Sequence, residues 1–311
     1  MNFLHKIQGK LWIVSLPLAI GLVWLVVDQV GWKVLYNALD NFSLATWVFA
    51  FSFTVIELYF QLLRSWIFLR CDNPALKYGE TAKAGLAAFS AGSFTPGRIG
   101  DSALVLLLPK LSPRSIGLSL VDRLMFWPPM HMFGAISLGI LFFPTFGNMG
   151  VVISIVVVVV YIVAMEVVFH RTRHTGEPNT SKKFLREMYH GFAMMPKKVW
   201  RIGILLGFCQ YFAIMIQFVI GLSAIGFHGS LFDAAVIFGA LQLFRSFLAF
   251  TPGNLGISEV VGMKLGEYAG MSADVLPQVT FPFFVINTVI PALVGFPLWI
   301  AQSRKFKRIS E

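Results

Sequence analysis

Phe94-Thr95-Pro96-Gly97-Arg98-Ile99-Gly100 occurs again as Phe250-Thr251-Pro252-Gly253-Asn254-Leu255-Gly256, identical at five of seven positions and with an Ile/Leu exchange at a sixth. Each copy interrupts an apolar region, the first within 81–108 and the second within 230–268. Proline removes a backbone donor and glycine loosens the chain, so each copy predicts a break in a helix. Flanking residues do not align, so the repeat is short but specific.

The 311-residue chain around these breaks is 57% hydrophobic and 13% charged, with mean hydropathy +0.74. Soluble domains carry about twice that charge, so too little polar surface remains to coat a globule in water. The composition excludes a soluble enzyme, a disordered chain and a collagen-like chain. An all-α polytopic membrane protein is expected, its residues 1–311 forming one domain. Six stretches reach the roughly 20 apolar residues a bilayer crossing needs: 11–31, 44–69, 116–143, 149–169, 201–226 and 277–301. The first resembles a secretory signal but is too long and lacks a cleavage site, so it is read as a retained helix. Cys71 and Cys209 give no disulfide framework.

Charge orients these segments. If 81–108 and 230–268 are re-entrant hairpins and the N-terminus is cytoplasmic, every Lys and Arg outside the apolar stretches lies inside except Lys33. The basic loop 170–198 and the tail Arg304, Lys305, Lys307 and Arg308 are then cytoplasmic as well, as the positive-inside bias demands. Letting either region cross would export one of these basic segments. For 230–268 a kinked crossing helix stays open, because its first arm is long enough to span. Under the hairpin reading, 44–143 and 201–301 run in opposite senses. They form an inverted-topology repeat with broken helices meeting near the midplane, as in many secondary transporters.

Backbone that is not helical survives in hydrocarbon only against protein or a wet cavity. The tips Thr95, Pro96, Gly97, Gly100 and Thr251, Pro252, Gly253, Asn254, Gly256 therefore predict a polar site, where amides at the start of a helix favour an anion. Kinks used only for packing are the alternative. Ionisable groups at membrane depth cluster nearby: Arg64, Arg98, Asp101, Arg123, Arg245 and Glu259. Such groups are costly unless they face a cavity or a partner. Guanidinium groups suit a phosphate, while Asp101 and Glu259 would face an amine, a sugar or a coupling proton. Structural ion pairs Glu57–Arg64 and Asp122–Arg123 are the alternative. Asp233 and Lys264 read as peripheral. Glu166, His170 and His174 share a helix face like metal ligands, but they lie at a helix end where cations cap the dipole. No catalytic dyad or cofactor motif is present, so neither catalysis nor a cofactor is expected. The 170–198 loop reads as an interfacial segment drawn to anionic lipid.

The residues Phe94–Asp101, Asp122-Arg123, Arg64 with Trp66, and Thr251 to Glu259 resemble the lysylphosphatidylglycerol synthase transmembrane family, the flippase-like domain of the multiple peptide resistance factor and of stand-alone relatives. The resemblance covers nearly the whole chain. Pro252, Gly253, Gly256 and Glu259 match the family motif Pro-Gly-Gly-x-Gly-x-x-Glu, Asn254 replaces its second glycine, and Asp101 stands where relatives often carry Glu. The resemblance implies translocation of an aminoacyl-phospholipid, hopanoid, glycolipid or polyprenyl-linked lipid across a bacterial inner membrane. The aminoacyl-transferase activity belongs to a separate soluble domain. A non-transporting scaffold for a glycosyltransferase or lipid-modifying enzyme is the alternative. Membrane lipids are the expected partners and nucleic acid is not; the oligomeric state is not legible.

Overall fold

The computed structural model describes residues 20–93, 95, 101, 103–108, 112–142, 195–248, 251 and 253–310, with isolated positions within 152–167 and 190–193. Among the described residues every regular element is helical. In chain order these are α1 (Ile20–Val30), α2 (Trp32–Asn41), α3 (Leu44–Leu69), α4 (Tyr78–Ser93), α5 (Ala103–Leu106), α6 (Pro113–Leu124), α7 (Trp127–Phe142), α8 (Lys197–Ala224), α9 (Leu231–Phe247), α10 (Ile257–Tyr268), α11 (Pro277–Phe284), the π-helical turn Val285–Val289 and α12 (Ile290–Ser310).

Among the described residues, four helical stretches are long and apolar enough to cross a membrane: Leu44–Leu69, Arg114–Leu141, Lys197–Ala224 and Pro277–Gln302. They answer to four of the six expected spans. The other two, 11–31 and 149–169, lie partly or mostly outside the described residues, as do most of the loop 170–198 and its Glu166, His170 and His174 forerunners. α3 shows which solvent the surface is built for. Val48, Phe49, Val55, Ile56 and Tyr59 face outward, while Thr54, Glu57, Arg64 and Ser65 are buried. Water would select the reverse; hydrocarbon selects this arrangement. The protein is a multi-pass membrane protein.

α3 and α8 lie side by side and antiparallel. Thr54 faces Gln217, Glu57 and Arg64 face Gln210, and Phe68 fills the space above Gly203. The remaining packing is exchanged between the halves: α4 lies along α12, and α7 lies along α9. Small residues allow both approaches. The Leu86 carbonyl of α4 occupies the place a Cβ would take on Gly295. On α9, a Cβ at Gly239 would stand 2.9 Å from the Phe133 carbonyl of α7.

The chain between α3 and α6 begins and ends at the same point. Asp72, just after α3, accepts hydrogen bonds from Ser112, the N-cap of α6, and from Ser115 at 2.6 Å. The segment between α8 and α11 does likewise at the opposite end of the α3–α8 pair. There a Cβ on Gly221 of α8 would meet Phe283 and Val279 of α11 at 2.6 and 2.8 Å. Within these two segments, α4 has 16 residues and α9 has 17. At 1.5 Å per residue they measure about 24 and 26 Å, short of a roughly 30 Å hydrocarbon layer.

The spans read as continuous at 116–143 and 277–301 are each interrupted. Helix α6 stops at Leu124, Met125 and Phe126 form a turn, and α7 restarts at Trp127. Pro128 and Pro129 have no N–H to give to the carbonyls of Leu124 and Met125, so the ladder lapses there. In the second half, Pro291 withholds a donor from the Asn287 carbonyl, and the chain widens into the π turn Val285–Val289, closed by the Ile290 N–H on the Val285 carbonyl.

Candidate functional site

The α3–α8 contact is polar where two apolar helices meet. The Gln210 amide donates to Glu57 Oε1 at 3.0 Å, and its oxygen accepts from Arg64 Nη1 at 2.9 Å. Arg64 Nε reaches Asp122 Oδ1 of α6 at 2.6 Å, and Ser65 donates to the other oxygen of that carboxylate. Arg64 is only 3% exposed. One helical turn beyond Glu57, Gln217 donates to the Ala50 carbonyl, to Thr54 and to Asn287 of the π turn, at 2.8, 2.9 and 3.0 Å. Asn287 returns a bond to the Gln217 oxygen at 2.7 Å. The ion pairs differ from the two that sequence proximity offers. Arg64 binds Asp122 rather than Glu57, because residues seven apart on one helix share a face yet stand about 10 Å apart along the axis. Arg123 turns from Asp122 to Asp101, with Nη1 3.4 Å from Oδ2, since consecutive helical residues point in different directions.

Glu57, Arg64, Ser65, Asp122, Gln210 and Asn287 belong to the walls of a cavity of about 330 Å3. Arg64, Asp101, Arg123, Arg245, Gly253 and Asn254, all expected site residues, line it together. Asp101 is buried against Gly92, whose missing side chain leaves room for its carboxylate. The second repeated segment approaches the end of α4, just before the first copy: a Cβ on Gly253 would stand 3.5 Å from the Ser93 carbonyl. Thr95 is half-buried and bonds back to the Gly92 carbonyl, and its neighbours Pro96, Gly97, Arg98 and Gly100 lie outside the described residues, as does Pro252.

Three expected residues point elsewhere. Thr251 is buried and donates to the Leu255 carbonyl at 2.9 Å, closing the second tip from within. Gly256, at φ +80°, lies against Leu22 of α1. Glu259 Oε2 accepts the Gly256 N–H at 2.8 Å, and Arg245 lies within electrostatic reach of it. The start of α10 is thus supplied with an anion by the chain itself, and Glu259 is not among the groups lining the cavity. Asp233 caps α9 through Ser230, and Lys264 pairs with Glu267 at 2.8 Å on the surface.

The cavity also recruits residues to which sequence reasoning gave no site role: Gln61, Gln210, Gln242, Ser246, Asn287 and Thr288, with Glu57 and Asp122. The amides were visible as polar side chains within apolar spans, a pattern that in hydrocarbon marks inward-facing positions. Gln210 and Gln217 repeat the seven-residue spacing of Glu57 and Arg64, which was an available signal. Among the described residues no three His, Cys, Asp or Glu gather as a metal site would require, and Cys71 and Cys209 are unbridged.

The model of the lysylphosphatidylglycerol synthase TM region matches residues 12–295. The chain belongs to this family. No curated protein matches the sequence. The matched residues include every group lining the cavity and both copies of the Phe-Thr-Pro-Gly motif, so the cavity lies within the lysylphosphatidylglycerol synthase TM region itself.

Proposed function

We propose that this protein moves an amphiphilic lipid with a charged head group between the leaflets of a bacterial inner membrane, with both termini cytoplasmic. The observation that carries the reading is a cavity into which charged and amide side chains converge, with Asp101 just after the first repeated segment and Gly253 and Asn254 of the second among its lining, inside a shell of outward-facing apolar side chains. Its volume is at the lower end of the usual range for ligand sites, enough for a head group and too small to enclose a whole lipid.

The architecture supports the same reading. We take 81–108 and 230–268 as re-entrant hairpins, because the feet of each lie together, at opposite ends of the antiparallel α3–α8 pair, while Gly253 of the second tip comes close to Ser93 at the end of α4. With α4–α12 matched by α7–α9, this is the packing an inverted repeat produces. In such a repeat the site sits at the interface of the halves.

Arg123 and Arg245 are the residues assigned to a head-group phosphate. Arg64, held between Asp122 and Gln210, buttresses the wall. The carboxylates Asp101 and Glu57 would meet an amine or hydroxyl of the same head group. Glu259 sets the second tip and acts on the site through the position of Gly253 and Asn254. The role is binding and transfer, without bond chemistry.

A leaflet-sided assay tests this. The protein is reconstituted with tail-fluorescent phosphatidylglycerol, phosphatidylethanolamine or a polyprenyl phosphate, and the outer leaflet is bleached with dithionite. At least one lipid should become accessible faster than in empty vesicles, and Arg245→Gln should slow it roughly tenfold, the equivalent of about 1.4 kcal/mol. Rates equal to those of empty vesicles for all three lipids would end the translocation claim.

A further inference from the structure

The cavity reaches the outer surface where α6 gives way to α7. Arg123 lines it with 29% of its side chain exposed, and Trp127 lines it while being 47% exposed. Across from them, Ser246 lines the cavity and its neighbour Phe247 is 64% exposed. His131 joins the two sides. Its ring stacks on Phe247 at 5.6 Å, meets Trp127 edge-on at 5.5 Å, and its Nε2 lies 3.3 Å from Ser246 Oγ. Between α7 and α9 the wall here is a layer of side chains.

The surroundings set the limits of this seam. One turn further along α7, Gly134 sits so close to α9 that a Cβ would stand 2.5 Å from the Cβ of Leu243. The helices are locked there. On the other side, Met125 and Phe126 form the turn that separates α6 from α7. Trp127 stands at the midpoint of the 28-residue stretch Arg114–Leu141, which places the seam near the middle of the hydrocarbon. A polar cavity therefore approaches lipid at mid-depth behind aromatic side chains, which tolerate a polar contact on one edge and an apolar one on the face.

We propose that Trp127, His131 and Phe247 form a lateral portal through which the hydrocarbon chain of a lipid leaves the cavity while its head group stays inside. This rests on the reading of the cavity as a head-group site. A lipid whose head lies among Arg123, Arg245 and Asp101 must keep its tail in hydrocarbon, because a cavity of about 330 Å3 has no room for an acyl chain beside the head group. The seam is where the cavity wall carries outward-facing apolar side chains next to cavity-lining ones. Swinging one or two of these side chains opens it without moving a helix.

Photolabelling tests the portal separately from transport. The full-length protein is placed in phosphatidylcholine vesicles containing a trace of phosphatidylethanolamine with a diazirine midway along one acyl chain. After irradiation, label on 123–131 and 244–248 should exceed severalfold the label on the outward face of α8 at Leu205 and Ile216. Joining Trp127→Cys to Phe247→Cys with a bifunctional thiol reagent, in a Cys71→Ser, Cys209→Ser background, should abolish that excess and leave the α8 label unchanged. Label spread evenly over outward-facing helices, or an excess that survives the cross-link, would overturn the portal. Enrichment at the seam without leaflet transfer keeps the portal and removes the translocase. Transfer with even labelling does the reverse.

Discussion

At the residue scale, the second tip shows how a departure from a motif is absorbed. Asn254 takes the place of a family glycine, and it is the one non-glycine residue at positive φ among the described residues, at +60°. Asparagine is the side chain best suited to that left-handed conformation after glycine. The exchange therefore keeps the backbone path while adding an amide to the cavity wall. Asn254→Gly should leave the melting temperature nearly unchanged. Asn254→Val should cost about 1–2 kcal/mol, read as earlier thermal unfolding in detergent by tryptophan fluorescence; equal stability of the two variants would refute the left-handed turn. What sequence alone picked out at this scale is a set of residues that share a location: Arg64, Asp101, Arg123, Arg245, Gly253 and Asn254 line one cavity. What it missed is direction. Glu259 follows the tip at the spacing of a functional carboxylate, yet the same three-residue offset lets it fold back onto the Gly256 N–H. Spacing along a chain places a carboxylate near a helix start but does not say whether it looks outward or caps the helix.

At the level of elements, the two interrupted spans carry polar residues to a depth where regular helices would turn them away. Sequence hydropathy saw continuous spans at 116–143 and 277–301, because Pro128, Pro129 and Pro291 barely alter an apolar average. Their effect is on hydrogen bonding, which a hydropathy window does not register. The π turn is the more telling case. Its extra residue per turn directs Asn287 to Gln217 and Thr54 while Thr288 faces the cavity. Restoring the donor with Pro291→Ala should let the N–H of residue 291 reach the Asn287 carbonyl and convert the turn to α-helix. Hydrogen exchange over 285–291 should slow, and lipid transfer should fall roughly tenfold, the loss of one or two buried hydrogen bonds of about 1 kcal/mol each. Unchanged exchange in that segment would show that packing, rather than the proline, holds the π geometry.

On the scale of the whole molecule, orientation follows from where charge resides and where each loop lies. The connection 70–77 and the start of α6 meet at Asp72, so one measurement there fixes the side for the end of α3, the start of α6 and the connection between them. Cys71 supplies the reporter. It is exposed, with its Sγ 3.7 Å from the Ile67 carbonyl, whereas Cys209 lies midway along α8 among neighbouring helices. Although the residue reaches the surface, the protein around the thiol takes part of its water away, and this desolvation, with secondarily the carboxylate of Asp72, pushes the Cys71 pKa above its usual value. Since the thiolate is the reacting species, labelling should be slow at neutral pH and keep rising beyond the pH at which an ordinary thiol has levelled off. With 25 Lys and Arg against 15 Asp and Glu, and the cations concentrated in the loops assigned inside, the positive-inside bias puts Cys71 in the cytoplasm. A membrane-impermeant maleimide should therefore modify inside-out vesicles and spare intact spheroplasts, with Cys71→Ser removing the signal. Modification of spheroplasts instead would invert the molecule, placing the basic connection 70–77 and the start of α6 outside. The orientation assigned from charge would then be wrong, while the cavity and the residues lining it would stand.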